Sequence, residues 1–260
     1  MSSAAPISDA GLVLALGLVL AAGAVSFALR LNLGRRLLWA CLRAAVQLAL
    51  IGQILAFVLE GTVGLVTAGV MAVMVFAAAR EAARRPERKL VGAAWGTFVT
   101  LALVGILTSC FVTAVVLRVE PWHEPRYLIP LLGMILGNAL TGLSLAMDNL
   151  LESVDVRRAD IEADLAAGAT RFEALRPPLR EAVRRGMMPI LNATSVVGVV
   201  SLPGVMTGQI LAGADPRAAV RYQFVVMVTV LGATAVGCLL LAGWVVLRVT
   251  DREHRLTRAR

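Results

Sequence analysis

Arg43 and Gln47 stand four residues apart in an otherwise apolar run, so a helix carries both on one face, and Gln53 continues the polarity further along. A guanidinium in hydrocarbon must reach the interface along its stem, pair with a carboxylate, or meet an anionic group on a substrate. Asn138, within GMILGNALTG, brings a carboxamide into a second apolar run, where it serves a hydrogen bond between helices or a contact along a route. The segment SLPGVMTGQILAGADP (201–216) breaks a third run. Pro203 removes a backbone donor and Gly204 permits a bend, so Met206, Thr207 and Gln209 beyond them either line a path or follow a structural kink. Met206 and Met227 are soft metal ligands in principle and gap-filling side chains in most cores. Asp148, Asn149 and Glu152 cluster at one end of an apolar run, as a solvated helix end or an ion-entry site.

Other chemistry is missing. The chain contains no G-x-x-x-x-G-K-[ST], H-E-x-x-H or G-x-S-x-G motif and no Cys/His cluster. His123 and His254 fall in separate segments, and Cys41, Cys110 and Cys238 show no paired spacing, so no catalytic residue and no metal-ligand set is assigned. The chain reads as a non-enzyme with no cofactor of its own.

These groups need elements to hold them, and the sequence supplies helices. Hydrophobic residues make up 58% of the 260, and the apolar runs are continuous rather than alternating, which argues for membrane helices of about 20 residues rather than a barrel. Spans are expected near 10–29, 37–59, 61–79, 90–117, 128–147, 190–212 and 222–247. The first residues, MSSAAPISDA, lack a positive n-region, so the first run is read as a span rather than a signal peptide.

The formal charge of +8 invites a nucleic-acid reading, which the placement of the charge excludes. With the N-terminus outside, twenty of the 25 basic residues fall in inner segments; only Arg118, Arg126, Arg217 and Arg221 fall outside, and Arg43 lies within a span. The positive-inside rule then gives seven spans, N-out and C-in, in a cell inner (plasma) membrane, with a possible preference for anionic lipid. The chain is one transmembrane domain, 1–260, with a cytosolic loop at about 151–189 and a charged tail at about 251–260 expected to be solvated and frayed.

That loop contains a polar block, IEADLAAGATRFEALRPPLREAVRR (161–185). Gly168 stands where a helix through Ala167 needs a left-handed residue, and Thr170 and Glu173 have capping-box spacing for the next helix. Pro177 and Pro178 are expected to end that second helix. Ala163, Ala166, Ala167 and Ala169 keep the turn slim, so the block is expected to be a cytosolic helix–turn–helix that touches a soluble partner. Small residues also recur at helix-packing spacing, at Gly92/Gly96, Gly133/Gly137/Thr141 and Gly204/Gly208/Ala212, for packing within the chain or against a second subunit.

Several segments resemble the FetB-type permeases of ABC transporters, bacterial iron-export proteins related to plant aluminium-tolerance permeases. They are RAAVQL (43–48), GMILGNAL (133–140), DLAAGAT (164–170) and SLPGVMTGQILAGADPRAAVRYQFVVM (201–227), within a likeness that spans 30–247. The charged Arg80 and Glu81 depart from the pattern. EADLAAGAT also resembles the importer-permease EAA signature, with Glu162 and Gly168 at matching positions. The resemblance implies that Glu162, Ala163, Asp164, Gly168, Ala169, Thr170 and Phe172 couple to a separate ABC ATP-binding subunit, which carries ATP and Mg. It also implies a homodimer of this chain and a substrate that is a metal, with a nucleotide sugar as the alternative suggested by plant relatives. Arg43, Gln47, Asn138, Pro203, Met206 and Gln209 are the candidate path residues. The rival readings are an ATP-independent channel or carrier, and a membrane-embedded enzyme for lipid-linked substrates built on Arg43, Asp148 and Glu152.

Overall fold

The computed structural model describes residues 8–31, 33–60, 64–85, 88, 90–251 and 255–256. Ten α-helices are found there, and the only bridges outside helices among the described residues are Val197 with Ser201 and Thr250 with Leu256. Five helices are long and apolar enough to cross a membrane, and a further apolar stretch covers Val13–Ala28. The chain divides into two units, residues 1–63 with 211–213, and residues 64–210 with 214–260.

The first unit is a helical hairpin of α1 (Asp9–Ala28) and α2 (Gly34–Glu60). Ser8 starts α1 by accepting the Gly11 N–H at 3.2 Å, which satisfies one of the four free donors at a helix start. The turn between the helices is held by buried Ser26, whose Oγ accepts the Leu33 N–H at 3.0 Å.

The second unit is built around α5 (Pro125–Val156), which is packed by α3 (Gly64–Arg84), α4 (Ala93–Phe111), α8 (Arg176–Val196) and α10 (Pro216–Val249). A π-helical turn, Val112–Val116, continues α4. The buried side of α5 carries Leu131, Leu132, Ile135, Leu143 and Leu150, each at most 1% exposed. Lipid is as apolar as these side chains, so close packing rather than exclusion of water holds such helices together. Glycine makes the closeness possible where α5, α8 and α10 cross. A Cβ on Gly186 would lie 2.7 Å from the Gly142 carbonyl oxygen and 3.0 Å from Cys238 Sγ. Gly96 is the matching case for α4, because a Cβ there would meet the Trp244 ring at 2.6 Å, and Arg248 lies over that ring at 5.3 Å.

The expected span at 190–212 is not one helix. The chain leaves helical geometry at residues 197–203 and resumes in α9 (Gly204–Leu211). The break therefore comes before Pro203, on Gly198 at φ 82° and its valine neighbours. The Pro203 carbonyl accepts the Thr207 N–H at 3.0 Å, which puts the proline at the start of α9 instead of inside a bent helix.

Candidate functional site

The polar block forms an elbow at the end of the second unit where α5 finishes and α8 begins. Its parts are α6 (Arg158–Ala166) and α7 (Arg171–Ala174). At the turn Gly168 takes φ 96°, its N–H donates to the Leu165 carbonyl at 3.1 Å, and the Ala169 N–H donates to the Asp164 carbonyl at 3.0 Å. This pair of bonds is the Schellman closure, which satisfies carbonyls that a helix end leaves open. The reciprocal capping box follows: Thr170 Oγ1 accepts the Glu173 N–H at 3.4 Å, and Glu173 Oε2 accepts the Thr170 N–H at 2.8 Å and its hydroxyl at 2.7 Å. The Thr170 hydroxyl first, and its N–H second, hold the exposed Glu173 carboxyl below its usual range. Pro177 and Pro178 do not end α7. They occupy the first turn of α8, where a missing N–H costs nothing and the fixed φ suits a helix.

One side of the elbow is anchored. Ile161, Ala174 and Leu175 are buried in the main core, and Leu165 and half-buried Ala169 pack against it. Glu162, Ala163, Asp164, Gly168, Thr170 and Phe172 face outward, so all the expected coupling residues except Ala169 are exposed. The presented surface is small, acidic at Glu162 and Asp164, and carries one aromatic ring, Phe172, at 48% exposure.

Three tethers at this end were not expected from the sequence. Arg88 Nε meets Asp155 Oδ2 at 2.7 Å, joining the α3–α4 connection to the last turn of α5. Arg158 Nε meets Glu162 Oε1 at 2.8 Å, and Arg158 Nη2 donates to the Leu256 carbonyl at 3.4 Å. Thr250 and Leu256 pair, and Asp251 and Arg255 exchange bonds of 2.9 and 2.8 Å. Of the tail expected at about 251–260, the described Leu256 meets the elbow through Arg158; residues 252–254 and 257–260 lie outside the described ones. The Arg158–Glu162 pair has readable four-residue spacing. The Asp251–Arg255 and Thr250–Leu256 contacts are also local, whereas Arg88 with Asp155 and Arg158 with Leu256 join residues far apart in the chain and leave no local signal.

The candidate path residues are less concentrated. Arg43 and Gln47 are exposed on α2, in the first unit. Asn138 is exposed on α5, where its Nδ2 donates to the Met134 carbonyl at 2.9 Å. Pro203 opens α9, Met206 is buried on it, and Gln209 Oε1 is buried with no hydrogen-bond partner. Two further buried carboxamide oxygens without a partner, on Asn149 of α5 and Gln223 of α10, had no separate role in the sequence reading. Asp148 is half-buried and Glu152 exposed near the end of α5. No group of three or more His, Cys, Asp or Glu side chains able to hold a metal occurs among the described residues. Between α4 and α10 lies an apolar groove of about 630 Å³, lined by Leu103, Leu107, Phe111, Phe224, Val228 and Val236, among others.

Long apolar helices, glycine-mediated crossings and a polar elbow define a polytopic helical membrane protein. The chain belongs to the family described as Uncharacterised protein family (UPF0014), which it matches over residues 10–249. It is 30% identical to the Probable iron export permease protein FetB of Escherichia coli (strain K12), covering 96% of this chain and 95% of that one. The UPF0014 membrane protein YjkA of Bacillus subtilis (strain 168) is 36% identical over 78% of this chain and 80% of its own. Protein ALUMINUM SENSITIVE 3 of Arabidopsis thaliana is 32% identical over 82% and 76%. No solved structure matches.

Proposed function

We propose that this chain is the membrane-spanning permease subunit of an ABC transporter that exports a metal ion, iron being the favoured cargo. The observation that carries the proposal is the elbow, whose turn is closed by a Schellman pair and a capping box, anchored by Ile161 and Leu175, and exposed along Glu162, Asp164 and Phe172. Such a surface is organised before it meets a partner, which lowers the ordering cost of docking. Likeness to a protein named as an iron export permease supports the cargo.

In this reading the chain crosses the plasma membrane seven times, N-out and C-in, with α8 and α9 together making the sixth crossing. The arginines at the elbow end support that orientation. The chain works as a homodimer and catalyses no chemistry. A separate ATP-binding subunit holds ATP and Mg and docks on residues 162–172. Closure of the paired ATPases pushes the elbow, and the core contacts of α6 and α7 pass the motion to α5, α8 and α10. Coupling of this kind requires two states that bind partner and cargo differently. Arg43, Gln47, Asn138, Pro203, Met206 and Gln209 are the proposed path contacts.

The test is flux. Vesicles containing this chain and its ATPase should move ferrous iron only when ATP is supplied. Equal flux without ATP or the ATPase would favour a channel or carrier, and turnover of a lipid-linked substrate by the chain alone would favour an enzyme.

A further inference from the structure

Helix α8 carries two rows at four-residue spacing on opposite sides. Pro178, Ala182, Gly186 and Ile190 are buried within the second unit. Arg176, Arg180 and Arg184 are exposed two positions out of step with them, about 200° around the helix. The next step along the arginine row is Met188, 44% exposed, so the charge stops where apolar surface begins.

Helix register sets the depth of this row. A Cβ on Gly186 would lie 3.0 Å from Cys238 Sγ, which fixes where α8 crosses α10. Leu256, just past the end of α10, meets Arg158 at the elbow, so α10 ends beside the start of α8 and the two run in opposite directions. Six residues from the crossing toward the elbow stand Arg180 on α8 and Trp244 on α10, each about 9 Å along its axis. Trp244 packs on Gly96 of α4, and the neighbouring Trp95 is exposed at the same level. Tryptophan gathers at the depth of lipid headgroups, so this pair marks that depth and Arg180 shares it. Arg176 stands one turn nearer the elbow. Arg184 stands one turn deeper, within reach of the surface along its stem.

The row has no anion within the chain. Ion pairs at this end join Glu81 to Arg85, Asp155 to Arg88, Glu162 to Arg158 and Glu181 to Arg185. Among the described residues none holds Arg176, Arg180 or Arg184. Like charges four residues apart repel, so the row costs the helix until an anion meets it. The first unit has none to give on the cytosolic side. Residues 1–63 contain carboxylates only at Asp9 and Glu60, at the start of α1 and the end of α2. The turn between those helices, cytosolic in the N-out reading, carries Arg30, Arg35 and Arg36 instead.

The ATPase suits the row poorly as well. The elbow it is proposed to dock on presents Glu162 and Asp164, so a complementary surface is basic and repels arginines. A phosphodiester at headgroup depth fits. Planar guanidinium forks pair with phosphate oxygens through two parallel hydrogen bonds, and the anionic inner leaflet attracts basic segments.

We propose that Arg176, Arg180 and Arg184 form a binding row for the headgroups of anionic phospholipids in the inner leaflet. The proposal deepens the transporter reading and rests on its orientation. It pins the start of α8 to the membrane surface beside the elbow that the ATPase pushes, so lipid charge regulates the coupling.

Native mass spectrometry of the full chain in mild detergent tests it, with phosphatidylglycerol or phosphatidylcholine added at equal concentration. The natural chain should retain phosphatidylglycerol about fivefold over phosphatidylcholine, and R176Q/R180Q/R184Q should bring that ratio to about one. R118Q/R126Q/R217Q removes the same charge at the other end and should keep the ratio. Equal retention of both lipids by the natural chain would overturn the proposal, as would an unchanged ratio in the first variant or the same loss in both. Displacement of the lipid by an equal concentration of inorganic phosphate would overturn it too, because the ligand would then be a free anion. Lost ATPase recovery with lipid retention unchanged would give the row to the ATPase instead. Intact elution from size exclusion checks folding. If the triple variant fails that check, R180Q alone should lower the ratio by about half, and no change would count against the row. The lipid measurement needs neither the ATPase nor a sided membrane, so a chain that recruits no ATPase would defeat the transporter reading and leave this site standing.

Discussion

Within the 158–211 stretch the chain leaves helical geometry at 167–170, at Leu175 and at 197–203, and the two longer interruptions are built differently. Both use a glycine at positive φ, Gly168 at 96° and Gly198 at 82°. At the elbow the end of α6 is closed by the Schellman pair and the start of α7 by the capping box, and the turn lies on buried Ile161 and Leu175. At residues 197–203 the local bonds include Gly198 N–H to the Ser201 carbonyl at 2.8 Å, and Val199, Val200 and Leu202 are 90%, 79% and 63% exposed. The first interruption is a finished surface. The second displays apolar side chains on a turn whose N–H groups at 197–201 bond at 2.8–3.5 Å, and in the proposed transporter it is the place that changes shape or packs elsewhere in the cycle. On the proposed transporter reading, the first would transmit force and the second would yield.

The largest effect should come from Gly168→Val. A branched side chain in the left-handed region costs about 1–2 kcal/mol, enough to lower recovery of the ATPase with the chain by about tenfold while membrane insertion is unchanged. Normal recovery and transport in this variant would remove the elbow from the coupling role. Gly198→Val carries the same backbone strain in the other interruption. It should cut cargo flux about tenfold with ATPase recovery intact, and loss of both together would erase the distinction drawn here.

Pro203→Ala should be milder. Pro203 sits at the start of α9 and needs no N–H partner there, so flux should change by no more than about threefold; a far larger loss would restore the proline as the hinge. The smallest effect concerns pH. Because the folded Glu173 carboxyl titrates below its usual range, its cap is present at neutral pH and lost as pH falls through that lowered value. Hydrogen exchange at the Thr170 amide should speed up over that fall in the natural chain and show no such step in Glu173→Gln. A step of equal size in both would show that another group is titrating.

What could be read from the chain and what could not separates by distance along it. The elbow was legible because its caps join residues three to five apart, and the long spans were legible because composition alone sets them. The prolines are legible as punctuation but misleading in sense: Pro177, Pro178 and Pro203 each read as the end or bend of a helix, and each stands at a helix start. Gly198 was hidden in an apolar VVGVV run that looks like continuous span. The Gly142–Gly186 crossing, the Arg88–Asp155 pair and the bond from Arg158 to Leu256 connect residues 44, 67 and 98 positions apart, and no periodicity encodes them. The path residues resist reading for a related reason, because a single polar residue in a span gives its cost without naming its partner.

The most direct measurement is affinity purification of the tagged full chain from its own membranes in mild detergent, with identification of what comes with it. A stoichiometric P-loop ATPase whose hydrolysis rises in the complex is the predicted result. A chain that elutes without such a subunit, yet still moves or converts a substrate, would contradict the account.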